Sequence, residues 1–204
     1  MKKLLIFIMI MFGGAMTMVS AQDMRTIFLN APDRIFPLLS NIDRADLVDF
    51  IEAGMTAKVT NRLDGATVLH ELEKDYLKLA TTVSSDVQLK LLPMQGDTII
   101  CMVKTMKAEA ADSRIFFYDK GWNLLNDGAM FTFPSIDEFF TSGASGYSDM
   151  CDIYLVSLTL SPVDNTLVAE YTMPAYMSME DAEKVKPLLR KLVYRWNGVR
   201  YVIE

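Results

Sequence analysis

The hydrophobic period of this chain changes once, near Thr56, and this change limits the fold class more than any other feature. Over residues 44–55 apolar residues recur at helical spacing, with acidic residues on the opposite face. Beyond Thr56 apolar and polar residues alternate, as from Val87 to Leu91, which is typical of half-buried strands. Short N-terminal helices followed by many strands predict an α+β fold, with the helices packed on antiparallel β-sheet.

Local signals predict where several elements begin and end. Ser40 and Asp43 have the spacing of a capping box, with Asp in place of the usual Glu. Ser178 is expected to cap a short helix over residues 179–185. Asn197-Gly198 lies between two apolar runs and therefore predicts a hairpin at the end of the chain.

Two further patterns are weaker. Apolar residues within 33–39 predict a second short helical piece before the capping box. A turn around Gly121 is followed by apolar residues, which predicts a strand over residues 122–125.

The strand region shows the same order of strands and turns twice. Residues 91–93 precede a turn and a strand, and residues 160–162 do the same in the second half. Two interpretations stay open, because any two antiparallel sheets share Pro and Gly at turns and β-branched residues in strands. A true duplication divides the chain into a first α+β unit, residues 22–128, and a second, residues 129–204, which together form one compact body.

Residues 1–21 have the composition of an export signal. Lys2 and Lys3 precede an apolar run over residues 4–12, and Val19-Ser20-Ala21 supplies the small residues that a signal peptidase reads. The run is too short to span a bilayer core of about 30 Å as a permanent helix. We therefore expect a signal peptide cleaved after Ala21, a periplasmic or extracellular protein, and no transmembrane anchor.

The charge balance excludes some partners. The chain has a formal net charge of −6, and removal of Lys2 and Lys3 makes it more negative. Nucleic acid binding requires a basic surface that displaces counterions, so we expect no nucleic acid partner.

The residues that usually hold metals and cofactors are scarce. His70 is the single histidine of the chain, and neither of the common Gly-rich phosphate-binding motifs occurs, so we expect no metal site and no cofactor. Cys101 and Cys151 both fall on strand-like positions. Export allows a disulfide between them, and burial as two free thiols is the other interpretation.

Aromatic side chains are the remaining candidates for recognition. Most of them are expected in the core or in cross-strand pairs. Tyr147, Tyr176 and Trp196 are the candidates for exposed residues that contact a partner, since exposed aromatics favour protein or glycan contacts.

Four segments of the chain resemble one family. They read SNIDRADLVDFIEAGMTAKVTNRLDGAT, DYLKLATT, VQLKLLP and FFYDKGWNLL. They are similar to a family of secreted Bacteroidales proteins of unknown function, and residues 44–63 are the most specific part. The doubled order of helix and sheet also resembles the β-lactamase-inhibitor-protein fold, which implies a concave sheet facing a partner. The family has no assigned activity, so the resemblance implies no site residue.

Three functional hypotheses follow from the sequence. The leading one is a non-enzymatic envelope protein that binds another macromolecule, either an envelope protein or a glycan. The first alternative is a hydrolase that acts on envelope polymers through a carboxylate pair which the sequence does not locate. The second alternative is a protein that binds a small apolar ligand between helix and sheet.

Overall fold

A computed structural model describes residues 23–125, 127–142 and 144–204, and the expected signal peptide lies outside these residues. The helices are α1 (Met24–Leu29), α2 (Asn41–Glu52), α3 (Asp127–Met130) and α4 (Met179–Val185). The first strands are β1 (Lys58–Thr60), β2 (Ala66–Leu72), β3 (Tyr76–Thr82), β4 (Ser85–Met94), β5 (Asp97–Met106) and β6 (Asp112–Tyr118). The later strands are β7 (Val156–Leu160), β8 (Thr166–Tyr171), β9 (Leu192–Trp196) and β10 (Tyr201–Ile203). Short 3-10 turns lie at Ile136–Phe139, Ser145–Met150, Met173–Tyr176 and Lys186–Leu188.

The helix boundaries follow the local signals. The Ser40 hydroxyl accepts a hydrogen bond from the Asp43 N–H at 3.1 Å, and the Asp43 carboxylate accepts one from the Ser40 N–H at 2.6 Å. This reciprocal pair satisfies two N–H groups that a helix start leaves without partners. Past the end of α2, Gly54 has φ +70°, a conformation that favours glycine. The predicted capping box is therefore confirmed, and so is the helix that begins after Ser178.

The strands form two antiparallel sheets. The first has the order β1-β2-β3-β4-β5-β6, and the second has the order β10-β9-β8-β7. Each sheet is a meander in which strands that follow one another in sequence pair in space. The predicted α+β class is thus confirmed. Strands β1 to β6 precede the expected unit boundary between residues 128 and 129, and β7 to β10 follow it, but the boundary itself stays a prediction.

Two local predictions are wrong. Residues 33–39 form turns and not a helix, because Pro37 disfavours a helical backbone at the preceding residue. Residues 122–125 make one isolated antiparallel bridge, Leu124 to Tyr118, in place of the predicted strand, since Trp122 has φ +62° and the Asp119 carboxylate accepts the N–H groups of Gly121 and Asn123 to make a turn.

The first sheet has a hydrophobic core on each face. In β5, Ile100 and Met102 belong to the core under the helices, whereas Cys101 and Val103 belong to the core between the two sheets. This alternation follows from the period of two along a strand. The molecule therefore has three layers, namely the N-terminal helices, the six-stranded sheet and the four-stranded sheet.

Candidate functional site

The second sheet has two edge strands, β7 and β10. They differ in whether other parts of the protein form hydrogen bonds with the backbone groups that point away from the sheet. In an antiparallel pair, alternate residues direct their N–H and C=O groups toward the neighbouring strand, and the others direct them away. The outward groups of an edge strand can pair with another chain unless the protein occupies them.

Side chains of the first sheet occupy the edge of β7. Alternate N–H groups of this strand each donate to one side-chain oxygen. The pairs are Val156 to Asp112 Oδ1 at 3.4 Å, Leu158 to Ser113 Oγ at 3.0 Å and Leu160 to Gln88 Oε1 at 2.7 Å. This edge is therefore closed to a further strand.

The edge of β10 is open. The Asn197 N–H donates to the Arg200 carbonyl, and the Glu204 N–H donates to the Val193 carbonyl. These two bonds, together with the pairing of Tyr201 with Trp196, set the register of the ladder, so the N–H and C=O groups of Tyr201 and Ile203 point away from β9. Within the described parts of the chain, no hydrogen bond reaches these outward groups.

A cleft of about 280 Å³ runs beside this open edge. Residues 129–134, at the end of α3 and just after it, form the opposite wall. The lining includes four aromatic side chains, which are Phe131, Phe133, Tyr194 and Tyr201. The space between this wall and β10 is therefore lined by aromatic side chains, and it lies beside the unpaired backbone groups of β10.

Aromatic contacts fix the wall of the cleft. The Phe131 ring lies 5.2 Å from that of Tyr194 and 5.1 Å from that of Phe133, both in edge-on arrangements. The Tyr154 hydroxyl donates to the Pro134 carbonyl at 2.7 Å and ties the far end of the wall to the segment before β7. A wall held in this way is preorganised, which lowers the entropic cost of binding a partner.

Two opposite charges border the cleft. The Glu138 carboxylate accepts the Ser135 N–H at 2.7 Å, and Arg200 is exposed on the turn that leads into β10. Burial, and then the charge of Glu138, raises the pKa of Tyr194 to about 12. The Tyr194 hydroxyl is therefore neutral at physiological pH and can donate a hydrogen bond.

The structure does not bring the three predicted recognition residues to this cleft. Tyr147 and Tyr176 are 40% and 50% exposed, on two of the 3-10 turns. Trp196 is only 6% exposed, contrary to the expected exposure, because its ring stacks on Phe117 and its Nε1 donates to the Pro93 carbonyl at 2.7 Å. A binding role for the three residues stays a prediction.

The open edge is a feature that the side-chain pattern does not reveal. The aromatic residues of the cleft can be seen in the sequence. The alternation of side chains along a strand, however, shows only which face is buried, and it does not show whether the backbone edge is paired. The useful signal is the Asn197-Gly198 hairpin, which predicts that β10 pairs with β9, and the structure gives β10 no second neighbour among the described strands.

The two cysteines are buried, whereas the histidine is exposed. Cys101 and Cys151 are free thiols in the core between the sheets, and burial raises the pKa of both. His70 is exposed on β2. Among the side chains that the structure describes, no group of three or more His, Cys, Asp or Glu is placed to hold a metal ion.

The fold and the cleft define an α+β protein with a helical layer, two antiparallel sheets and an open edge at β10 of the second sheet. The chain belongs to the family described as "Protein of unknown function (DUF3256)", whose sequence model matches residues 16–201. The expected membership in an uncharacterised family from Bacteroidales is thereby confirmed.

A solved structure has a similar fold. It is described as "Structure of a domain of an uncharacterized protein from Porphyromonas gingivalis W83", and it is 25% identical in sequence to this chain. The match covers 91% of this chain and 100% of that one, with a TM-score of 0.78. No curated protein matches the chain. In the described part of the chain, no helix is both long and apolar enough to cross a membrane.

Proposed function

We propose that this protein is an exported, non-enzymatic binding protein that takes an extended segment of another envelope protein as an added strand on β10. The observation that carries the proposal is the set of unpaired backbone groups of Tyr201 and Ile203 beside an aromatic cleft. Strand addition to a sheet edge is a recurring mode of peptide recognition, in which main-chain hydrogen bonds supply affinity and side-chain pockets supply specificity.

The chemistry of the edge favours a peptide over a glycan. A strand offers N–H and C=O groups at the spacing of the outward groups of β10, and each new hydrogen bond contributes about 0.5–1.5 kcal/mol net. The residues of β10 are uncharged. By contrast β1, the outer strand of the first sheet, begins with exposed Lys58, and lysine on an edge is a common protection against pairing.

No observation favours the hydrolase alternative. A catalytic acid typically has a buried carboxyl group with a raised pKa. Among the residues whose side chains the structure describes, the buried polar and charged ones include no Asp or Glu; they are Arg44, Asn61, Thr67, Gln88, Lys90 and Ser113.

A proline substitution at the open edge tests the proposal. The Ile203 N–H faces away from β9, so Ile203→Pro removes an outward donor without removing a hydrogen bond of the β9–β10 ladder. Ile203→Val keeps the donor and is the matched control. Both variants are expected to keep the thermal midpoint of the parent protein, because neither loses a bond of the ladder.

The probe is a peptide selected from a displayed library of random ten-residue segments on protein that lacks residues 1–21. We expect Ile203→Pro to weaken binding about tenfold, the effect of roughly 1.4 kcal/mol, and Ile203→Val to leave it unchanged. The amide resonances of Tyr201 and Ile203 should shift on binding. The proposal is wrong if no peptide binds at micromolar concentration, or if the proline variant binds as tightly as the control.

Export is supported by the composition of residues 1–21. Sequencing of the N-terminus of protein recovered from the cell envelope is expected to begin at Gln22. An intact N-terminus in the cytoplasmic fraction would contradict this part of the proposal.

A further inference from the structure

We propose a second binding site, in a cavity between residues 35–39 and the first sheet, which takes a straight-chain fatty acid with its carboxylate at Lys104. This site lies on the helical face of the first sheet, whereas the β10 cleft belongs to the second sheet. The two proposals are therefore independent of each other.

The cavity has a volume of about 230 Å³ and lies where the helical layer ends. Helix α2 packs on β1 and β2, and at the cavity the turns at residues 35–39 face the ends of β4 and β5. The apolar part of the lining consists of Ile35, Phe36, Pro37, Leu38, Leu39, Val87 and Met106. Apolar surface of this kind is suited to a hydrocarbon chain.

Lys104 supplies a cation without a counter-charge. It lies on the same face of β5 as Met102, is half-buried, and its Nζ lies 5.8 Å from the centre of the Phe116 ring. Within the described residues, no hydrogen bond or ion pair reaches this ammonium group. Burial lowers the pKa of Lys104, and no carboxylate contributes an opposing effect. A half-buried cation of this type gains from an anionic ligand.

A second cation lies beside Lys104. The register of β5 and β6 places Arg114 directly opposite Lys104, on the same face of the sheet. Like charges directly opposite each other destabilise a pair of strands. Arg114 is exposed, and no ion pair joins it to any described residue. A carboxylate between the two side chains would therefore relieve the repulsion and satisfy both charges.

The other polar groups of the lining already have partners. Asp86 is the acidic residue of the cavity, and its Oδ1 forms an ion pair with Lys107 Nζ at 2.7 Å, although without hydrogen-bond geometry. The Thr81 hydroxyl is 2.7 Å from that of Ser85. Likewise, the Thr105 hydroxyl is 2.8 Å from a serine hydroxyl of β6. The lining thus offers a ligand one charged group without an ion-pair partner, Lys104, beside a mostly apolar surface, which matches an anionic head with a hydrocarbon tail.

The rim of the cavity can accept a tail longer than the cavity itself. Met106, which lines the cavity at the end of β5, is 60% exposed, and Val83, in the turn between β3 and β4, is 93% exposed. Exposed apolar side chains grouped beside a pocket are a common mark of a ligand site.

The test uses calorimetry with decanoate and two ligands of the same chain length, decanol and decyltrimethylammonium. Decanoate is expected to bind one per protein molecule. Lys104→Gln should weaken decanoate binding about tenfold or more, since a hydrogen bond to a charged group is lost. Lys104→Arg keeps the charge and should retain most of the affinity, and Lys58→Gln removes an exposed charge outside the cavity lining and should leave decanoate affinity unchanged.

A second readout locates the ligand. The methyl resonance of Met106 should shift on addition of decanoate, and that of Met179, which is exposed and is not part of the cavity lining, should not. Decanol binding should be the same in the parent protein and in Lys104→Gln.

Several outcomes would overturn this proposal. They are the absence of decanoate binding, equal binding of decyltrimethylammonium and decanoate, and equal decanoate affinity of Lys104→Gln and the parent. Because Lys104 is half-buried and makes no polar contact within the described residues, its substitution is not expected to unfold the protein, and a thermal scan checks this. Decanoate should not displace a peptide bound at β10, so failure of one proposal leaves the other intact.

Discussion

Lys90 on β4 shows how a single buried charge joins the two sheets. Its side chain is almost fully buried, with Nζ 2.9 Å from Asp75 Oδ2 and 3.3 Å from the Pro162 carbonyl, in the turn between β7 and β8. The ring of Tyr76 lies 6.0 Å away and gives a further favourable contact. A buried ammonium is costly unless it is paired and hydrogen-bonded, and here residues from both sheets supply the partners.

We expect Asp75→Asn to lower the free energy of unfolding by about 2 kcal/mol, less than for a fully buried pair because Asp75 is half-exposed. Lys90→Met in the Asp75→Asn background should restore most of the loss, since it removes the unpaired charge. Urea unfolding at neutral pH measures both values. If the two effects simply add, the charge pair is not what stabilises this junction.

Strand β7 illustrates how the molecule protects one edge of its second sheet. Three acceptors from β4 and β6 bind its outward N–H groups, and Ser113 contributes the central one. The Ser113 hydroxyl also pairs with that of Thr105 on β5 at 2.8 Å. The edge of β10 has no such cover within the described residues, and this contrast between two edges of one sheet is the reason to place binding at β10.

Ser113→Ala should lower the free energy of unfolding by about 1–3 kcal/mol, because the buried Leu158 N–H is left without an acceptor. Ser157→Ala, at a half-buried serine on β7, is the matched control and should change stability by less than about 0.5 kcal/mol. Chemical unfolding compares the two variants. Equal stability of both would show that the edge bond to Ser113 contributes nothing.

At the scale of the whole molecule, the core between the sheets and its borders hold many tyrosines whose ionisation burial disfavours. Burial raises the pKa of Tyr76, Tyr154 and Tyr194 to about 12 each, and it also raises those of Tyr171 and Tyr201. In the unfolded chain the same groups ionise near the ordinary value of 10.0. The unfolded state therefore loses protons first as the solution becomes alkaline.

The stability that these tyrosines contribute is fully present below pH 10.0 and is lost as the pH rises toward about 12. Burial lowers the pKa of Lys104, so this residue makes the free energy of unfolding rise with pH. Its single contribution is smaller than the combined opposite contribution of the five tyrosines. We expect the urea midpoint to fall steeply above pH 10.0, and the ionisation of these buried tyrosines, followed by their ring NMR resonances, to accompany unfolding. Tyr194→Phe should reduce the slope. Ionisation of Tyr76, Tyr154 or Tyr194 near pH 10.0 in the folded protein would contradict the expectation.

The sequence by itself determined the features that depend on a few contiguous residues. The capping box at Ser40, the helix after Ser178 and the hairpin at Asn197-Gly198 form as predicted, because each depends on local hydrogen bonds and turn geometry. The change of hydrophobic period likewise determined the α+β class.

Only the tertiary structure decided which edge is open and which side chains are exposed. The bond that closes β7 joins Gln88 to Leu160, and the bond that buries Trp196 reaches Pro93, so both depend on segments that are distant in sequence. The Lys104 cavity likewise exists because residues 35–39 cover the ends of strands that lie far along the chain. Such contacts form when two sheets pack together, and no local pattern encodes which distant segment will lie opposite.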